Sequence, residues 1–567
     1  MMKMRSTSFR LLLLLLVVSL IRGNTRGNDN FGEGTAVDIP VPPTNVLEHG
    51  QKQKQQPTVV TKFCHLIVLV HGYLGSEREQ EYLGEALSTR GNTTSNTSPQ
   101  HDFVILYSTA NVGKTTDGIA PGGKRLAAEI YTWIQHYQHE ADADDNNDAT
   151  HHRTIVTLSI IGNSLGGLYS RYALGELYYN RTDYPENIFR ATTDEEQRAD
   201  GMMTILPLVF CSTSSPHLGV SQELFLSVPH WLEPYLATGL QQQTLHDLFS
   251  NVQKKATIVY DMCDPDHTTT NDEEQEQDDT PRNYLRPLQL FHKRIAVANA
   301  YNTDFLVSVA SAAFLSADST SLHYAPEEDD DVKEAEADTA TVTTATCSSA
   351  SSSSSSSSTS AAPDEDEEET TSTTNPNTCN RLPSDRPPNR WMEHMDMVLL
   401  QVTTTPDPAG IGTTMDTTKK RTNSNTQTLD RRQVCAENLD QLGWHKIFLD
   451  TRALLPSWMV LPLASELLAP SPAIDTKTTS TTQRRSAYTS QELYGELKRY
   501  GTLLPIAHPL NMANAKTPWY RSLTARGQPI MDALADLLVT DIRRLAEQTH
   551  IVTHKQARTN NKNENNN

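Results

Sequence analysis

TIVTLSIIGNSLGG, residues 155–168, is a β-branched apolar run that ends in a Gly-x-Ser-x-Gly turn with Ser164 at its centre. Val, Ile and Thr suit a pleated strand, and a run this short between polar flanks predicts a buried one. A serine hydroxyl is a weak nucleophile at neutral pH. On a tight strand-to-helix turn it is lifted clear of the sheet, where a histidine can take its proton. Gly162 and Gly166 permit that turn, because a side chain at either position would hold strand and helix apart. Leu165 to Leu177, LGGLYSRYALGEL, has apolar residues at about helical spacing and predicts a helix whose N-terminus faces Ser164. A chance Gly-x-Ser-x-Gly in a surface loop would lack these flanks.

A second apolar run, CHLIVLVHGYLG at 64–75, ends in His-Gly, as expected of a central parallel strand buried on both faces. Acyl transfer turns a carbonyl oxygen into an anion, and two preorganised amides stabilise it. The residue after the nucleophile supplies one and the loop after an earlier strand the other, so Leu165 and Tyr73 are the candidate donors. His71 and Gly72, at the strand end, read as loop-shaping residues, and His71 is not assigned the role of base.

These segments resemble the DUF676 serine esterases, lipase-like members of the α/β-hydrolase superfamily. LIVLVHGYLGS (66–76), IIGNSLGGLYSRYAL (160–174), FCSTSSPHLGV (210–220) and FHKRIAVANAYNTDFLVSVASA (291–312) carry the likeness, with weaker matches in GWHKIFLD (443–450) and PIAHPLNM (505–512). About half the chain is covered. The resemblance implies an α/β-hydrolase fold with a mainly parallel sheet, helices on both faces, and a triad in the order Ser, Asp, His. On the matched blocks Asp304 is the acid and His508 the base. Asp304 follows the strand-like run Arg294 to Ala300, and it also suits capping a helix near Phe305. His445, beside Trp444, competes with His508. His217 resembles a structural histidine beside the site. Asn163 stands where histidine is common in the family, which alters packing below the turn.

The implied chemistry is ester hydrolysis through an acyl-enzyme, requiring no metal or organic cofactor. The substrate expected from the likeness is a lipid ester, an acylglycerol or a lysophospholipid. An acyltransferase or thioesterase on the same serine, and a catalytically silent module binding lipid or protein, are the alternatives. Residues 221–249 carry Leu224, Phe225, Val228, Trp231, Leu232, Tyr235, Leu236 and Leu240 around Pro229 and Pro234. They suit either a lid over the site, with peripheral membrane contact, or helices that complete the core.

Much of the chain of 567 residues is not core. Residues 317–433 hold acidic runs, eight consecutive serines and Thr/Asn-rich sequence, with too little apolar content to offset the entropy of ordering. They read as an insertion between a core part at 61–316, its lid-like region at 221–290, and a second core part at 434–548. Residues 24–60 read as a flexible leader and 549–567 as a disordered tail. Tracts 142–148, 272–279, 327–338 and 364–369 hold 24 acidic residues and one lysine against a chain net charge of −21. The remainder is therefore close to neutral. That acidity belongs to solvated loops, and with no basic stripe present it argues against a nucleic-acid partner.

Residues 1–23 have the form of a secretory signal: Lys3, Arg5 and Arg10, then LLLLLLVVSLI at 11–21. A cleaved signal near Gly23 and an uncleaved membrane anchor both fit. Sequons at Asn92, Asn96 and Asn180 permit secretion. Of the six cysteines, Cys64 and Cys211 read as free thiols in strands, and Cys347 with Cys379 could close a loop in the insertion.

Overall fold

The computed structural model describes residues 61–92, 99–145, 153–180, 183–184, 189, 205–220, 242–249, 257–265, 282–304, 307–325, 397–405, 431–455, 487–498, 507–513 and 524–564. All belong to one compact unit formed by Met1–Ala325 and Met395–Asn567; the other unit, Pro326–His394, lies outside the described residues. The signal-like segment, the leader, the serine run, Cys347 and Cys379, and the eight apolar residues read as a lid lie outside them too.

Among the described residues nine strands form one sheet: β1 (Thr61–Val70), β2 (Gln100–Tyr107), β3 (Arg153–Asn163), β4 (Leu206–Thr213), β5 (Lys293–Asn299), β6 (Leu322–Tyr324), β7 (Val398–Thr403), β8 (His445–Leu449) and β9 (Ala487–Thr489). Their order is β2-β1-β3-β4-β5-β8-β7-β6-β9. The first six in that order are parallel, and β7, β6 and β9 add an antiparallel extension. With a tight strand-to-helix turn at Ser164 after the third strand of the chain and helices between the strands, this is an α/β-hydrolase fold.

β1 shows why its sequence is apolar throughout. Leu66, Val68 and Val70 pack with Leu126 and Ile130 of the helix Ile119–Asp145 and Leu165 and Leu168 of the helix Leu165–Tyr179. Ile67 and Leu69 alternate onto the opposite face and are equally buried. Each such side chain contributes about 1.5–3 kcal/mol of burial, so both faces must be apolar. On the β2 side, the helix Gln528–Glu564 lies against the helix Glu81–Gly91, where Arg90 pairs with Asp532 and Asp536.

Several expectations change in the fold. β6 and β7 fall inside the 317–433 stretch, so the compact unit runs to Ala325 and resumes at Met395. Alternating Leu400 and Val402 bury against β8 and secure β7, a pattern too short to stand out in polar sequence. The helix expected near Phe305 spans Val309–Ala312 among the described residues, because Ser308 caps it and Phe314 turns to φ 42°. The last helix reaches Glu564, beyond the expected tail boundary at 549, since no Gly or Pro follows Pro529 before that point.

Within 221–290 the short helices Gln243–Leu248, Ile258–Asp261 and Leu285–Gln289 send Leu248, Val259, Leu285 and Leu288 into the core. These parts complete the core. A disulfide joins Cys263 to Cys435 across 172 residues, tying the two halves of the unit, while Cys64 and Cys211 are free.

Candidate active site

Ser164 alone forms the turn between β3 and its helix. Its backbone lies at φ 53°, ψ −124°, a conformation costing a non-glycine residue on the order of 1–3 kcal/mol. Two hydrogen bonds hold it there. Its N–H donates to the Thr213 carbonyl at 2.8 Å, and its carbonyl accepts from the Gly167 N–H at 3.1 Å. Asn163, in register with Thr213 on β4, accepts from Thr213 Oγ1 at 2.9 Å, which gives this asparagine a purpose beneath the turn.

The glycines allow the close approach the turn needs. A Cβ on Gly166 would lie 2.2 Å from the Val70 carbonyl oxygen, and one on Gly162 would lie 2.5 Å from the Gly167 nitrogen. Both clashes are with backbone, which cannot swing aside. Gly72 is on the other side of the serine: a Cβ there would stand 2.9 Å from Ser164 Cβ and 3.4 Å from Oγ. The loop after β1 therefore lies directly beside the candidate nucleophile.

That loop is shaped by its own hydrogen bonds. His71 Nδ1 meets the Gly72 carbonyl at 3.0 Å, Gly75 N–H donates to Gly72 O at 3.1 Å, and Leu74, at φ 55°, donates to Thr115 Oγ1 at 2.9 Å. Tyr73 anchors through its hydroxyl on Gln242, and burial pushes that phenol up to about 12. Leu165 is the first helical residue, so its N–H is one of those a helix leaves unpaired at its positive end. Its neighbour Gly166 abuts the Val70 and His71 carbonyls, which brings the Leu165 and Tyr73 backbones to one edge of the sheet.

Asp304 and His508, 204 residues apart, meet at 2.8 Å through Oδ2 and Nδ1. Asp304 follows β5, and its Oδ1 accepts from the Val307 N–H at 3.0 Å. One carboxylate oxygen thus holds the following turn while the other meets the imidazole; the next helix is capped by Ser308 and not by Asp304. His508 opens a short 3-10 helix, His508–Met512. Ala507 N–H donates to the Thr303 carbonyl at 2.9 Å, lacing the two loops together one residue before each side chain. Burial pulls the His508 imidazole down, but Asp304 and the more distant Glu79 carboxylate outweigh it and hold the group above 6.5. Among the described residues no hydrogen bond joins Ser164 Oγ to His508. Such contacts are often long before substrate binds.

The competing histidine is elsewhere. His445 begins β8 in register with Ile295, at the amino edge of the sheet, and its Nε2 contacts Gln401 Oε1 at 2.7 Å. Burial pushes it down to about 3. His217 is buried among its neighbours: Arg171 Nη1 lies 3.4 Å from its Nδ1, and its Nε2 meets Ser212 Oγ at 2.9 Å. Burial, then Arg171 and Lys446, keep it neutral.

Four polar residues near the site escaped the sequence. Glu79 lies in the 3-10 helix Glu77–Gln80 that follows the β1 loop, with its carboxylate against Gly75. Asn299, Ser214 and Asn511 join one another and Asp304. Asn511 lies three residues after His508 and Asn299 five before Asp304, yet neither pattern matches a known motif; Ser214 is reached only through strand register.

Residues 61–317 match the family model described as "Putative serine esterase (DUF676)". A protein of Schizosaccharomyces pombe named as a putative lipase is 27% identical over 259 residues, covering 45% of this chain and 26% of that protein. This chain therefore spans about a quarter of that relative's length. The crystal structure of a Bacillus licheniformis lipase in propeptide form overlaps 41% of this chain and 35% of its own at 15% identity, with a TM-score of 0.22. Over residues 61–317 the chain is thus similar to the DUF676 family described as putative serine esterases.

Proposed function

We propose that this protein is a serine hydrolase of carboxylic esters in which Ser164 attacks, His508 moves the proton and Asp304 orients the imidazole. The Asp304–His508 pair at 2.8 Å, at the sheet edge that carries the strained Ser164 turn, is the observation that carries this reading. With Nδ1–H donated to Asp304, Nε2 is left as the acceptor. His508 takes the serine proton as the ester carbonyl is attacked, and the oxyanion is held by the Tyr73 and Leu165 N–H groups. His508 then protonates the leaving alcohol, and water repeats the sequence to free the acid.

The substrate class we favour is a lipid ester, an acylglycerol or lysophospholipid, supported by the lipase-like relative and the apolar 221–240 segment. Secretory location is supported by the basic-then-apolar start of the chain and by the Cys263–Cys435 disulfide. A fluorophosphonate probe applied to the folded protein should label one serine, mapped by mass spectrometry to the peptide containing Ser164. Labelling elsewhere, or none, would reject the reading.

The pH dependence follows from the same pair. His508 acts only when neutral, and its folded value is raised, so kcat/KM should fall on the acid side through a midpoint above 6.5. A midpoint below 6.5 would contradict the site described.

A further inference from the structure

Thr213 and Ser214, at the end of β4, connect all three proposed triad positions. Thr213 O accepts the Ser164 N–H at 2.8 Å. Ser214 Oγ accepts from Asn299 Nδ2 at 3.1 Å and from Asn511 Nδ2 at 2.6 Å. Asn299 Nδ2 also reaches Asp304 Oδ2, at 3.3 Å, the same oxygen that meets His508. Asn511 and His508 share one 3-10 helix. The bonds therefore close a ring: His508, Asp304, Asn299, Ser214, Asn511 and, through the helix, His508 again.

We infer that Ser214, Asn299 and Asn511 are positioning residues, which set the His508–Asp304 pair in register with the Ser164 turn. The inference rests on the triad reading above. Three observations favour placement over simple packing. Ser214 holds φ 45°, a left-handed conformation that a serine adopts at a cost, with its N–H fixed to the Val297 carbonyl at 2.8 Å. All three side chains are almost fully buried. Asn299 Oδ1 and Asn511 Oδ1 have no partner among the described residues, so each buried amide forgoes one bond while its nitrogen serves the ring. A core selected for stability alone would place apolar groups of that shape there.

The physical effect is on orientation. Asp304 Oδ2 shared between His508 and Asn299 is held from two directions, and the His508 helix cannot slide without breaking the Asn511–Ser214 bond. A displacement of about 1 Å at such a pair can cost on the order of 100-fold in rate. Asn299 bonds Asp304 directly, whereas Asn511 acts through Ser214 and the 3-10 helix it shares with His508, so smaller losses are expected than for triad members.

Full-length N511A and N299D, with S164A and D304N as references, provide the test on a soluble ester. N511A should lower kcat on the order of 10- to 100-fold at unchanged KM, with the same fall in the fluorophosphonate labelling rate. N299D replaces a donor by a second carboxylate beside Asp304, which favours protonated His508, so the acid limb should move to higher pH. In a D304N background, N511A should cost little more, because its effect passes through the pair. The inference is overturned if activity falls only in proportion to folded protein by circular dichroism, if the acid limb of N299D stays in place, or if the N511A loss is fully additive with D304N. Retained activity in S164A would instead reject the triad itself.

Discussion

Ser164→Ala is expected to lower kcat on a soluble ester by about 10⁶-fold while leaving thermal unfolding almost unchanged. Removing one nucleophile disables the whole relay, so the loss approaches that of removing all three groups, and residual turnover comes from binding and oxyanion stabilisation. Folding should be insensitive because the turn is held by main-chain atoms: the Ser164 N–H on Thr213 and its carbonyl on Gly167 survive the change. The measurement pairs a steady-state assay with a melting curve. Activity within tenfold of the parent would remove Ser164 from the chemistry.

Asp304→Asn is expected to lower kcat on the order of 10⁴-fold. The amide oxygen can still accept from Val307, so the turn persists, but an NH₂ now faces His508 Nδ1. Nδ1 must then accept, which puts the proton on Nε2, where it cannot receive the serine's. The acid limb of the pH profile should also move downward, because the carboxylate that offsets burial is gone. A loss below tenfold, or an acid limb that stays in place, would show that Asp304 does not act on His508.

The turn at Ser164 and the strands around it were legible because their information is local. Gly162, Ser164 and Gly166 sit within five residues, and the doubly buried β1 and β3 must be apolar throughout. His508 was harder, since PIAH is short and His445 has a comparable neighbourhood in sequence. Depth in the sheet separates them: one lies at the end of a carboxyl-edge loop and the other starts β8 at the amino edge. β6, β7 and β9 were illegible because such short segments depend on their neighbours in the sheet for stability.

Sequence by itself determined the parallel α/β core, the Ser164 turn and its glycines, because period, residue shape and turn chemistry act over a few residues. Only tertiary structure decided the partner of Asp304, the exclusion of His445 and the hydrogen-bond ring through Ser214. Those contacts join residues as far as 297 positions apart, and their distances are set by strand register and loop closure, which no local pattern encodes.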